Sequence, residues 1–100
     1  MTDKHFLLIY DLAPDYLERR PQFRAAHLDL GRAAVARGDL VLAGALADPA
    51  DGAVLLFKGP DDSAARGFAE SDPYVANGLV KAWRVRPWTT VLGKDALTPV

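Results

Sequence analysis

Leu40-Val41-Leu42-Ala43-Gly44-Ala45-Leu46 and Ala53-Val54-Leu55-Leu56-Phe57-Lys58 flank the connection Asp48-Pro49-Ala50-Asp51-Gly52, and this middle stretch decides the fold. Both flanks are short apolar runs bounded by turn residues, and the connection is rich in Asp, Pro and Gly, so the pair reads as two consecutive strands joined by a hairpin. On each side of the hairpin the chain repeats the same pattern outward. Upstream, residues 15–37 carry a helical pattern, preceded by a strand over 4–11 built on Phe6-Leu7-Leu8-Ile9-Tyr10. Downstream, a helix over Ser63–Glu70 is followed by an alternating strand over Val80–Trp88. The order is β-α-β-β-α-β. This is the ferredoxin-like arrangement of the α+β class, a four-stranded antiparallel sheet with both helices on one face, and it occupies residues 1–100 as one domain.

Local signals set the boundaries. Pro21 lies inside the first helical segment, so that segment is either kinked or divided into a short turn and a main helix that begins near the proline. Gly38 stands where a helix C-terminus favours glycine. Asp72-Pro73 has the form of an N-cap followed by a first-turn proline, opening one turn of helix through Tyr74-Val75-Ala76 that Asn77-Gly78 closes. Thr90-Val91-Leu92 is a further strand-like patch, and the chain after it reads as loose.

Composition narrows the function classes. The net charge is −1 with 50% hydrophobic residues, which gives no basic nucleic-acid surface and enough apolar content for a small core. With no cysteine, disulfides, thiolate nucleophiles and thiolate-held metals are ruled out, and a reducing cytoplasm fits. The start of the chain has neither the basic region nor the apolar segment of a signal peptide, and no run approaches the roughly 20 apolar residues of a membrane span. The two histidines, His5 and His27, have no metal-ligand spacing, no Gly-rich phosphate loop precedes a helix, and neither Ser63 nor Ser71 lies in a nucleophile elbow. No cofactor is expected. His5, near the N-terminus, reads as a surface or edge residue.

The first three strands are apolar at both parities: Leu7 and Ile9 against Phe6, Leu8 and Tyr10, and Leu55 and Phe57 against Val54 and Leu56. Such strands need cover on both faces, and two helices supply only one. A second copy packing sheet to sheet would cover the other, so a homodimer is expected. Trp83 and Trp88 lie at opposite parities of the last strand, one for the core and one for the subunit interface.

On a helical wheel, Leu17, Phe23, Leu28, Leu30, Gly31, Ala34 and Val35 share one broad arc, and Glu18, Arg19, Gln22, Asp29, Arg32 and Arg37 the other. Arg24 and His27 fall inside the apolar arc. With Gly31 they are spaced i, i+3, i+7, one stripe in which the glycine leaves room for a small cleft. A guanidinium and an imidazole are costly to bury without partners, and Asp72 is a natural one. The stripe is then either a polar site in a pocket or a buried structural network, with Asp72 also an N-cap. Gly44 marks a bulge or a place where a molecule approaches the backbone, and Tyr74 either packs or lines the site.

These residues carry a resemblance. Arg24, His27 and Leu28, the Leu42-Ala43-Gly44 strand, Phe68-Ala69 through Asp72-Pro73-Tyr74, Asn77-Gly78-Leu79 and the aromatic last strand through Pro87 together resemble the YciI-like (YCII-related) family over roughly residues 4 to 92. The resemblance implies a dimeric α+β barrel, similar to muconolactone isomerase, and an active-site cleft around a His/Asp pair at the positions of His27 and Asp72. The corresponding expectation is a small cofactor-independent enzyme acting on a small aromatic or lactone-type molecule. His27 and Asp72 would be catalytic, with Arg24, Tyr74 and Gly44 contacting an anionic or polar ligand. Two other readings stand beside it: a non-catalytic module that binds a ligand or a partner protein in the same cleft, and a purely structural polar group.

Overall fold

Two of the three strands that read as apolar on both faces take the centre of the sheet. In a computed structural model describing residues 2–100, β1 (Lys4–Leu12) lies between β3 (Gly52–Gly59) and β4 (Val80–Trp88), and β2 (Leu40–Ala45) flanks β3. The order β2-β3-β1-β4 is antiparallel throughout, the ferredoxin-like topology expected from the element order. Helices α1 (Tyr16–Ala36), α2 (Ser63–Ser71) and the single turn α3 (Pro73–Ala76) complete the chain. No helix among the described residues is long and apolar enough to cross a membrane.

Alternation along the strands separates two faces. Phe6, Leu8, Tyr10 and Leu12 of β1, with Leu55 and Phe57 of β3, bury against Tyr16, Ala34, Ala65, Phe68 and Ala69 of the helices. Phe57 and Phe68 pack with ring centroids 5.4 Å apart. On the opposite face, Leu7 and Ile9 pair with Leu56 and Val54 on one side and with Arg86 and Arg84 on the other. Leu42, opposite Leu56, is 70% exposed. That face is apolar toward β2 and basic along β4. Trp83 packs against the core, whereas Trp88 is half exposed, so the two tryptophans divide as their parity indicates.

Four details depart from the sequence-based expectations. First, α1 is one undivided helix through Pro21, not a short turn followed by a main helix that begins near the proline. The proline removes the bond that its N–H would have made to the Leu17 carbonyl, less than two turns from the helix start. Leu17 and Pro21 are both exposed, so water can satisfy the freed carbonyl. Second, the wheel's apolar arc is too broad: Leu17 and Val35 are more than half exposed, and the helix meets the core through Tyr16, Phe23, Leu30 and Ala34. A wheel orders residues by angle but does not say which edge of a wide arc meets the sheet. Third, the register shift in β2 falls between Leu40 and Leu42, not at Gly44.

The fourth departure is at the C-terminus. Thr90-Val91-Leu92 is not a strand, and the tail after it is not loose. It folds back on Thr90, whose carbonyl accepts from Thr98 N (3.0 Å) and Thr98 Oγ1 (2.8 Å) and whose Oγ1 accepts from Leu97 N (3.0 Å). The same Oγ1 lies 2.7 Å from His5 Nδ1. His5 is accordingly 3% exposed, not a surface residue. Gly38, with φ 85°, takes the left-handed position that ends α1 and directs the chain into β2.

The burial of His5 predicts a pH dependence. Desolvation, reinforced by Lys58 and opposed by Asp95, lowers its pKa from the ordinary 6.5. The unfolded chain then binds this proton more tightly than the folded one. The contribution of His5 is complete above the unfolded pKa and is lost as pH falls through the folded value. Urea midpoints should fall more between about pH 7 and about pH 5 in the native chain than in His5→Gln. Equal slopes would show that His5 does not contribute.

Candidate functional site

Asp72 is set by the residue that follows it. Pro73 disfavours helical backbone at the preceding position, and Asp72 is extended (φ −76°, ψ 122°) between α2 and α3. Its Oδ1 caps α3 by accepting from Tyr74 N at 3.0 Å. Yet the side chain is fully buried, and capping occupies only part of the carboxylate. Oδ2 accepts from the Tyr10 hydroxyl at 2.7 Å, and His27 Nδ1 lies 2.9 and 3.0 Å from the two oxygens. Three donors from β1, α1 and α3 thus converge on one carboxylate, the condition under which a buried charge is tolerable.

The pairing defines the histidine. An ionised carboxylate only accepts, so Nδ1 carries the hydrogen and Nε2 is left with the lone pair in the neutral ring. The imidazole stacks on Tyr74 with centroids 3.9 Å apart and planes 9° from parallel, and Phe68 meets it edge-on at 6.3 Å. Tyr16 in turn packs edge-on against Tyr74 at 5.7 Å. These contacts hold the ring on one wall of a cavity of about 300 Å³ between α1 and the β2–β3 part of the sheet. Burial, assisted by Tyr16, raises the Tyr74 hydroxyl to about 12, against the pull of Arg24 and Arg20. Burial and then Asp72 hold the Tyr10 hydroxyl firmly protonated.

The structure brings His27, Asp72 and Tyr74 into direct contact. Arg24 and Gly44 line the same cavity. Arg24, however, is exposed at the cleft mouth, not buried on the apolar arc, and makes no ion pair with Asp72. Its side chain lines the cleft while open to solvent, which a wheel drawn on Cα positions does not register. Gly31 does not line the cavity, and a Cβ there would meet nothing within 4 Å, so it provides no cleft. Among the described residues no three His, Asp or Glu side chains gather as a metal site.

Three polar residues of the cavity are absent from the expected site: Tyr10, Tyr16 and Arg20. Tyr10 had a legible signal. It is the one hydroxyl in the inward stripe Phe6, Leu8, Tyr10, Leu12, and a buried hydroxyl needs a partner. Tyr16 and Arg20 continue the line of Arg24 toward the helix start at i, i+4 spacing. Tyr10→Phe removes one of the three bonds to Asp72 and should cost about 1.5–3 kcal/mol, the range for hydrogen bonds to charged groups. Chemical denaturation with an unchanged m-value would report it; an unaltered midpoint would mean that the Tyr10 bond contributes nothing net.

Residues 4–89 match the family model described as the YCII-related domain. The chain belongs to the YCII-related domain family. Solved structures resemble this YCII-related domain at low identity. The 5-chloro-2-hydroxyhydroquinone dehydrochlorinase of Burkholderia phenoliruptrix AC1100, in complex with 2,5-dihydroxybenzoquinone, is 24% identical with a TM-score of 0.72, covering 92% of this chain and 98% of that one. A putative antibiotic biosynthesis monooxygenase of Bacteriodes thetaiotaomicron VPI-5482 is 14% identical with a TM-score of 0.61, covering 93% of each chain. A NIPSNAP family protein of Agrobacterium tumefaciens is 14% identical with a TM-score of 0.59, covering 94% and 96%. These likenesses show that the YCII-related domain shares their α+β fold. No curated protein matches it.

Proposed function

We propose that the chain is a small acid–base enzyme that needs no cofactor, with His27 as the proton carrier and Asp72 as the group that orients and charge-stabilises it. The observation that carries this is the grip of both Asp72 oxygens on His27 Nδ1, at 2.9 and 3.0 Å, in a ring that lines the cleft. A purely structural histidine has no need of a cavity beside it. Nε2 takes a proton from a carbon next to a carbonyl, or from a hydroxyl, and the imidazolium formed is stabilised by the buried carboxylate. Arg24 receives the negative charge that develops on the substrate oxygen, and Tyr74 packs beneath the imidazole. Returning the proton at another carbon gives isomerisation; loss of a β-halide gives elimination. The dehydrochlorinase of the same fold supports the choice of small cyclic or aromatic substrates. A screen of lactones and hydroxylated aromatics tests the proposal. Turnover by the native chain and none by folded His27→Ala is expected. Binding without turnover across the screen would favour a ligand-binding module instead.

The same proposal includes a homodimer through the open sheet face. Leu42, Leu56, Leu7, Val54 and Ile9 form its apolar part by register, with Trp88 at the far end. Light scattering at micromolar protein should return about twice the mass of one chain. A clean monomer at high concentration would overturn it.

A further inference from the structure

We infer that Arg20 and Arg24 form a carboxylate subsite in the cleft, so that the molecule held beside His27 is an organic acid. This rests on the cleft being a small-molecule site and specifies the class of molecule.

The arginines on α1 and at its C-cap fall into two sets. Arg19, Arg32 and Arg37 each face a carboxylate, at Asp15, Asp29 and Asp39, and Arg66 and Arg84 do so elsewhere. Arg19 also donates to the Asn77 carbonyl at 2.7 Å. Among the described residues Arg20 and Arg24 have no ion-pair partner, and both line the cavity with His27. No Asp or Glu lines it. The nearby carboxylate, Asp72, is fully buried and already accepts from Tyr10, Tyr74 and His27. The cleft therefore holds two guanidinium charges and no counter-charge.

Arg20 adds a second observation. Its Nε is buried without a hydrogen-bond partner among the described residues, while the guanidinium lies 5.9 Å from the centre of the Tyr16 ring. A buried donor left unpaired is a standing cost in the free protein. Turning the guanidinium so that its Nε–Nη edge receives two oxygens removes that cost. A carboxylate is planar and presents two oxygens at the spacing of this fork. The remaining lining is largely apolar, with Leu28, Leu55, Ala43 and Ala53, and accommodates a ring or short aliphatic body. Both arginines also act on the Tyr74 hydroxyl, so their field covers the ring on which His27 is stacked.

Paired probes test this by calorimetry: gentisate against hydroquinone, benzoate against benzamide, and inorganic phosphate alone. Each acid should bind at least about tenfold tighter than its neutral partner, with the difference shrinking as salt rises. Arg20→Gln should abolish most of that preference, and Arg20→Lys, which keeps the charge but loses the fork, should not restore it. His27→Gln should keep the preference, so failure of the proton-transfer reading leaves this readout intact. The subsite is overturned if neither acid binds, if the neutral partners bind as well, if Arg20→Gln retains the preference, or if phosphate binds as tightly as the acids.

Discussion

Replacing His27 by glutamine should lower turnover of any substrate found by about 10²–10⁴-fold, the usual contribution of a positioned acid–base group. The amide is a fair geometric substitute. It keeps a donor for Asp72, whose oxygens lie 2.9 and 3.0 Å from the native Nδ1, and a flat surface for Tyr74, now 3.9 Å from the imidazole. It does not exchange a proton near neutral pH, whereas the imidazole does. The loss should appear in kcat, with substrate affinity changed far less, because the cleft's arginines are untouched. His27→Ala should lose as much activity and in addition some stability, since it empties a partly buried site. Folding of both variants is checked by circular dichroism and urea midpoints. Full activity in His27→Gln would remove His27 as the proton carrier and leave the cleft as a binding site.

Much of this arrangement was readable from residue order, because the signals were local. The Asp72-Pro73 pair announces a cap, and the cap is there, with Oδ1 on Tyr74 N. Alternation placed Phe6, Leu8 and Tyr10 together, and they share the buried face. The pairing of His27 with Asp72, 45 residues apart, is not local: an imidazole on the apolar arc needs a partner, Asp72 is a natural one, and the family resemblance implies the same pair. What stayed hidden depends on relative placement. The wheel put Arg24 on the apolar arc but did not register that its charge reaches the cleft mouth. It did not show that Tyr10, on the strand just before this helix, ends under the same carboxylate. His5 read as an edge residue because its cover, Thr90 and the returning tail, lies 85 residues on and carries no periodic pattern. Pro21 suggests a break because propensity counts the lost bond and not the exposure of Leu17 and Pro21, where water can replace it.

Asp72→Ala should be the most destabilising single change in the site, at about 3–5 kcal/mol. A domain of this size has a total stability of only about 5–15 kcal/mol, so the variant should unfold at a much lower urea concentration. The loss has three parts. The α3 cap goes, worth about 1 kcal/mol. The Tyr10 hydroxyl, fully enclosed beneath the helices, loses its only hydrogen-bond partner among the described residues. His27 Nδ1 loses both oxygens at once. Alanine offers none of these donors an acceptor, and the fully buried position gives water little room to replace it. Asp72→Asn separates structure from chemistry. Its one carbonyl oxygen can still cap Tyr74 N, and asparagine is a good N-cap, so about 1–2 kcal/mol should be lost. The amide nitrogen then stands where Oδ2 accepted, next to Nδ1. Nδ1 can still donate to the retained oxygen at 2.9 Å, but it can also accept from the amide, and in that tautomer the hydrogen sits on Nε2 and the cleft-facing nitrogen is no longer a base. Asp72→Asn should therefore fold well and be slow, though less impaired than His27→Ala because the ring stays in place and both tautomers remain accessible. Equal stability of the alanine and asparagine variants would mean that Asp72 is not the hub of this network, and full activity of folded Asp72→Asn would remove its part in setting the histidine.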